Sequence, residues 1–173
     1  MSSVNYEPPQ TSVDLPATGC PVCGTGRRGR QLLPVVLEGE NARLPEQKHR
    51  GDAGFDLYTS YSTLIEPGGF ANVPTGVSIE MDEYTWGLIM GRSSTLTKRN
   101  LLVNTAVIDS GWRGELFAGV KNLGPQPVWV MTGERVAQFI PMGGIKADGL
   151  KPIQVEKLND HERGTNGFGS TGI

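Results

Sequence analysis

The sequence predicts a small all-β protein, a sandwich or a barrel. Three observations point there. Short apolar stretches recur between turn signals at a spacing of about 8–12 residues, the rhythm of packed short strands. Gly (24) and Pro (12) make up about a fifth of the 173 residues, a composition that disfavours long helices. Neither a heptad pattern nor an internal repeat competes with that reading.

The strands follow in chain order. QLLPVVLE is the first apolar stretch and AGFDLYTS the second. TLIEPGGFANVPTGVSIEM reads as a hairpin-like pair around Pro67, Gly68 and Gly69. TWGLIMG and NLLVNTAVI come next, then GELFAGVKNLG and VWVMTGERVAQFIPM, and IQVEKL is last. Only STLTKRN, after Arg92, suits a helical turn or two. Residues 1 to about 30 differ in texture: they hold four of the prolines, few large apolar side chains, and the basic stretch Arg27, Arg28, Arg30. Such a segment cannot bury enough surface to offset its ordering entropy, so a mobile tail is expected at 1–30. A β-rich domain is expected at 31–158 and a Gly-rich arm at 159–173.

Charge and composition narrow the function. Lys plus Arg number 16 and Asp plus Glu 18, for a net charge of −2, so neither bulk nucleic-acid nor anionic-membrane binding is expected. No apolar run approaches the roughly 20 residues of a membrane span. The opening residues have neither the charged nor the apolar region of a signal peptide, and two cysteines do not make a disulfide scaffold. A cytoplasmic protein is expected. CPVCG, Cys20 to Gly24, has the form of half a zinc knuckle, but His49 and His161 lie far off without ligand spacing. The tail's partner, if it has one, is not legible.

Five segments carry candidate chemistry. In RGTNGFGSTG, Arg163 to Gly172, glycines let backbone N–H groups converge on an anion, and Arg163 offers a fork of donors for phosphate. Ser170 and Thr171 add hydroxyls, and Phe168, alone among glycines, suits stacking on a base; composition alone suits a disordered tail equally well. In GRSSTL, Arg92 with Ser93 and Ser94 suits a phosphate chain as readily as a plain polar loop. In TAVIDSGWRGE, Asp109 at a strand end can orient and deprotonate a water, or close an Asx-turn. Trp112 beyond it packs on the core or against a sugar. In GERVAQF, Gly133 and Glu134 suit a hairpin turn, and Gln138 is a polar residue that needs a backbone or ligand partner. In AGFDLY, Asp56 is a carboxylate inside an apolar strand, the kind that pairs with Arg or serves a metal or its waters.

Taken in order and spacing, these five segments resemble the five motifs of the trimeric dUTPases over about residues 32–173. The resemblance implies a jelly-roll-like β subunit of a homotrimer with shared active sites, each closed by a C-terminal arm. It implies hydrolysis of dUTP to dUMP and pyrophosphate with Mg²⁺, which keeps uracil out of DNA and supplies dUMP for dTTP synthesis. By the same resemblance Asp109 is the base, and Asp56 holds a water of a Mg²⁺ coordinated mainly by the triphosphate. Arg92, Ser93 and Gln138 bind phosphate oxygens, Ser94 beside them belongs to the substrate-binding set, and Asn104 and its backbone read the base. Trp112 packs on deoxyribose; Arg163, Gly169, Ser170 and Thr171 grip the γ-phosphate; Phe168 stacks on uracil.

Three positions depart from the family's pattern. Trp112 stands where Tyr is common, Ser94 where Gly is usual, and Arg92 to Asp109 is one or two residues short in the hairpin that reads the base. RSS and IDSGW are similar to dCTP deaminases, which share the fold and use a catalytic Glu in the strand after the Gly-Trp turn. The matching position here is Gly119, Glu115 lies too early, and deaminases lack an arm of this type. A deaminase, or a bifunctional dCTP deaminase/dUTPase, is thus the alternative reaction. A nucleotide-binding regulatory module is the alternative of another class.

Overall fold

The computed structural model describes residues 31–81, 83–143, 150–162 and 164–165. Among them are eleven strands and one short helix: β1 (Gln31–Leu37), β2 (Phe55–Tyr58), β3 (Thr63–Ile65), β4 (Phe70–Ile79), β5 (Trp86–Gly91), α1 (Ser93–Arg99), β6 (Leu101–Val103), β7 (Ala106–Ile108), β8 (Glu115–Asn122), β9 (Val128–Val130), β10 (Arg135–Met142) and β11 (Leu150–Gln154). A five-stranded sheet runs β11-β1-β4-β8-β6, a four-stranded sheet β2-β10-β5-β7, and β3 pairs with β9 alone. β1 and β11 are parallel; the other pairs are antiparallel. The fold is the all-β class read from the sequence.

The strands alternate because a pleated chain shows successive side chains to opposite faces. In β8 that places Leu116, Ala118, Val120 and Asn122 inward and Glu115, Phe117, Gly119 and Lys121 on the other face. Leu116, Ala118 and Val120 join Val73, Val77 and Ile79 of β4 and Phe55, Leu57, Ile89, Val136 and Phe139 of the second sheet in one core. Gly87 permits the Phe139 ring to lie directly on β5, where any Cβ would meet it.

Two expected hairpins are corrected. Glu66–Gly69 is a tight turn, closed by Gly69 N–H donating to Glu66 O at 2.8 Å, but β3 pairs with β9 while β4 pairs with β1 and β8. The Gly133–Glu134 turn likewise leads from β9 into β10 without pairing them; Gly133 sits there at φ 79. Turn chemistry reports a reversal of the chain and not which edge the next strand finds. NLLVNTAVI is also two strands, β6 and β7, in different sheets with Asn104 and Thr105 between them. The expected base-reading hairpin is therefore a crossing between sheets. STLTKR with Ser93 before it forms α1, ended by Asn100 in the left-handed conformation with its N–H on Leu96 O at 3.0 Å.

Candidate functional site

The crossing and the strand after it build a cleft of about 440 Å³. Asn104 stands at the end of β6, and its N–H donates to Gly119 O at 2.7 Å. Asp109 follows β7 and opens a β-turn, Asp109–Ser110–Gly111–Trp112, closed by Trp112 N–H donating to Asp109 O at 2.9 Å. Trp112 packs partly on the core and partly faces the cleft. The outward face of β8 supplies Glu115, Phe117 and Gly119, and β4 adds Phe70 and Asn72. Register explains that meeting: Asn72 lies opposite Gly119 and Pro74 opposite Phe117.

Glu115 lines this cleft but is held. Its Oε1 accepts the N–H groups of Thr75 at 3.0 Å and Gly76 at 2.7 Å, where the β4–β8 register shifts between Pro74 and Ser78. Gly76, at φ 64, makes that bulge possible. The carboxylate is thus the bulge's acceptor. Gly119 has the Phe70 ring across it: a Cβ there would lie 2.9 Å from the ring edge. A carboxylate side chain at that position would displace Phe70.

The second cluster gathers on β2, β5 and β10. Asp56 Oδ1 takes Arg92 Nε at 2.7 Å, and its Oδ2 takes Arg135 Nη1 at 3.1 Å. Gln138 lies opposite Asp56 across the ladder, and its Nε2 donates to Gly91 O at 3.0 Å, so its partner here is backbone. Arg92, Ser94, Lys98, Arg99 and Arg135, with Glu134 as the one acid, line a concavity of about 270 Å³. Burial lowers the pKa of Arg99, whose guanidinium pairs with Glu134. Ser93, the first residue of α1, is exposed, and its carbonyl accepts Thr97 Oγ1 at 2.9 Å. Four basic side chains around one hollow suit a polyanion.

The two hollows share no lining residue. One chain brings Asp109, Trp112 and Asn104 together, and separately Asp56, Arg92, Ser94 and Gln138. Arg163, Phe168, Gly169, Ser170 and Thr171 lie outside the described residues, as does the tail with CPVCG. Sequence reasoning missed Arg135, although it stands in the quoted GERVAQF; a cation opening an apolar strand was the available signal, and its register position opposite Tyr58 lets its guanidinium reach Asp56. Phe70 and Asn72 left no such signal, because only the β4–β8 register brings them to Gly119.

One carboxylate with both oxygens on guanidinium groups does not form a metal cage, and no cluster of three or more His, Cys, Asp or Glu occurs among the described residues. Asp56 is a carboxylate at this cluster, and an ion that keeps its waters and takes most of its ligands from substrate phosphates needs no protein cage.

Comparison with known proteins agrees with this geometry. The dUTPase family model matches residues 40–172. A deoxyuridine 5'-triphosphate nucleotidohydrolase of Corynebacterium diphtheriae is 44% identical over 133 residues, covering 75% of this chain and 86% of the relative. One from Alkaliphilus metalliredigens is 40% identical over 134 residues, covering 76% and 91%. The dUTPase of Staphylococcus bacteriophage 80alpha, solved with dUPNHPP, superposes with a TM-score of 0.62 at 29% identity, covering 82% of this chain and 98% of that one. A mutant dUTPase of phage phi11 of S. aureus, described with a structural Mg(II) ion, gives a TM-score of 0.62 at 26% identity, covering 74% and 99%. The family match over residues 40–172 and the 44% and 40% identities over most of these relatives' length lead to one assignment: the chain belongs to the dUTPase family.

Proposed function

We propose that this dUTP diphosphatase hydrolyses dUTP to dUMP and pyrophosphate at a site completed between subunits of a homotrimer. The observation that carries the reading is that Asp109, Trp112 and Asn104 wall one cleft while Arg92 and Ser94, with Lys98, Arg99 and Arg135, line another. A single nucleotide spans base, sugar and three phosphates, so the separation within one chain supports a site that takes its phosphate cluster from a neighbour.

Asp109 accepts a proton from a water poised by the turn. The water oxygen forms a bond to the α-phosphorus, and the bond from that phosphorus to the α–β bridging oxygen breaks. The pyrophosphate leaves with that electron pair, toward Arg92 and Arg135, whose charges stabilise it. Trp112 lies against deoxyribose and disfavours a 2′-hydroxyl; Asn104 and its backbone face the base edge. Ser93, Ser94 and Gln138 complete the phosphate contacts. In the expected arm, Phe168 covers the base while Arg163, Gly169, Ser170 and Thr171 hold the γ-phosphate. Asp56 would hold Mg²⁺ through a water, and the ion would supply neutralising charge to the triphosphate. The reading places the enzyme in the cytoplasm, where it keeps uracil out of DNA and supplies dUMP.

The test is incubation with Mg²⁺ and dUTP, dCTP, dTTP or UTP separately, with products resolved by chromatography. Conversion of dUTP alone to dUMP and pyrophosphate is expected. Deamination of dCTP would overturn the reading at Gly119. Asp109→Asn is expected to lose turnover by at least about 10²-fold while still binding dUTP; unchanged turnover would remove Asp109 from the mechanism.

A further inference from the structure

The cleft at the Asp109 turn has a far end, and three strands build it. β8 runs away from the turn, and at about 3.3 Å per residue Gly119 lies about 13 Å along it from Glu115. There Asn72 of β4 stands opposite Gly119, and Asn104, just past β6, donates its N–H to Gly119 O at 2.7 Å. Asn72, Gly119 and Asn104 thus form one row across β4, β8 and the start of the crossing, all within one chain. A Cβ on Gly119 would lie 2.9 Å from the Phe70 ring and 3.5 Å from Asn104 Cβ. The middle of the row is therefore bare backbone beside an aromatic ring.

The polar groups of this cleft divide into those already engaged and those left open. Glu115 Oε1 is taken by the N–H groups of Thr75 and Gly76. The N–H of Asn104 is spent on Gly119 O, so the crossing cannot offer that donor to a base. Asn72 and Asn104 are both exposed at the cleft, and neither side-chain amide has a hydrogen-bond partner among the described residues. Beside them Phe70, Ala106, Val107 and Phe117 are apolar. A mostly apolar cleft with a few open polar groups is built to fix the orientation of a ligand. A side-chain amide carries both donors and an acceptor, which matches the alternating donors and acceptors along a pyrimidine edge.

We propose, resting on the reading that Asp109 and Trp112 receive the α-phosphate and the deoxyribose, that Asn72 is a base-reading residue whose Nδ2 donates to the oxygen at C4 of uracil. A nucleotide held at the turn by its sugar runs its base along β8. In a pyrimidine the ring atom opposite the glycosidic nitrogen is C4, so the group on C4 is the one that leads into the row of Asn72, Gly119 and Asn104. Uracil carries an acceptor there, and cytosine a donor. The absence of a side chain at Gly119 leaves room for that group between the two amides. Asn104 flanks the same edge from the other side.

The experiment uses the full chain with Mg²⁺. It measures kcat and KM for dUTP, and the inhibition constant of dCTP against dUTP, in the parent, Asn72→Leu and Asn72→Asp. Leu removes the donor without adding charge, so KM for dUTP is expected to rise about 10-fold with kcat little changed. A carboxylate only accepts, so it repels the uracil oxygen and suits the amino group of cytosine. Asn72→Asp is therefore expected to lower the preference for dUTP, read as the dCTP inhibition constant divided by the dUTP KM, at least about 10-fold. A loss of folded protein alone does not move that ratio. An unchanged KM in Asn72→Leu, or a parent-like ratio in Asn72→Asp, would overturn the assignment. Absence of dUTP turnover by the parent would take down the reading of Asp109 and Trp112, and Asn72 with it. Parent turnover with an unmoved ratio would take down Asn72 alone.

Discussion

Glu115 shows how a carboxylate in the cleft can belong to the fold. It lies in the cleft with a carboxylate, yet one of its oxygens satisfies the Thr75 and Gly76 N–H groups of the β4 bulge. Removing that acceptor leaves two backbone donors without it, at about 1–3 kcal/mol for an unsatisfied group. Glu115→Ala is therefore expected to lower the urea midpoint by a loss of that order, and Glu115→Gln by less, because an amide oxygen can still accept. A destabilisation by Glu115→Gln as large as that by Glu115→Ala would show that the charge, and not the acceptor, holds the bulge. Tyr58 offers a second test at this scale. Burial, then its hydrogen bond to Glu46 at 2.7 Å, raises its pKa above the ordinary 10.0. The folded state thus favours the protonated phenol, so this contribution to stability is present below pH 10 and is lost as pH rises through the raised value. Phenolate absorbance in Glu46→Gln should appear at lower pH than in the parent.

At the scale of elements, β8 does two jobs through its alternation. Its inward residues fill the core and its outward residues floor the cleft. Leu116 is fully buried, and Leu116→Ala is expected to cost about 2–5 kcal/mol in chemical denaturation, through lost transfer energy and the cavity left behind. Asn122 ends the strand with its side chain satisfied: Nδ2 donates to Ile65 O and Gln126 O, and Oδ1 accepts Gly124 N–H. Those bonds fasten β3 to the end of β8, which explains a buried amide where the alternation calls for an apolar residue. Much of this was legible. The QLLPVVLE, FDLY, ELFAGVKN and RVAQFIPM stretches carry their own pattern, and α1 stands where STLTKRN interrupts it. The β6–β7 break was not legible, because a run of apolar residues looks alike whether it stays in one sheet or crosses to another.

For the whole molecule, the separated hollows make a demanding prediction. If Asp109 and Arg92 of one working site come from different subunits, two inactive variants should rescue each other. Asp109→Asn and Arg92→Ala, each nearly inactive alone, should regain about a quarter of parent activity when refolded together in equal amounts, because random assembly leaves that share of sites with both groups intact. No recovery in verified mixed oligomers would place both residues in the same subunit's site.

The sequence by itself determined the all-β class, through its strand rhythm and its Gly and Pro content, and the residue types of each candidate motif. Both follow from local chemistry: alternation, turn propensity and the donors a side chain carries. Only the tertiary structure decided which motifs share a hollow. It paired Asp56 with Arg92 and Arg135, committed Glu115 to a bulge, and brought Phe70 and Asn72 to Gly119. Those outcomes depend on strand register and sheet order, which join residues far apart in the chain, and no local pattern encodes a pairing between strands that distance separates.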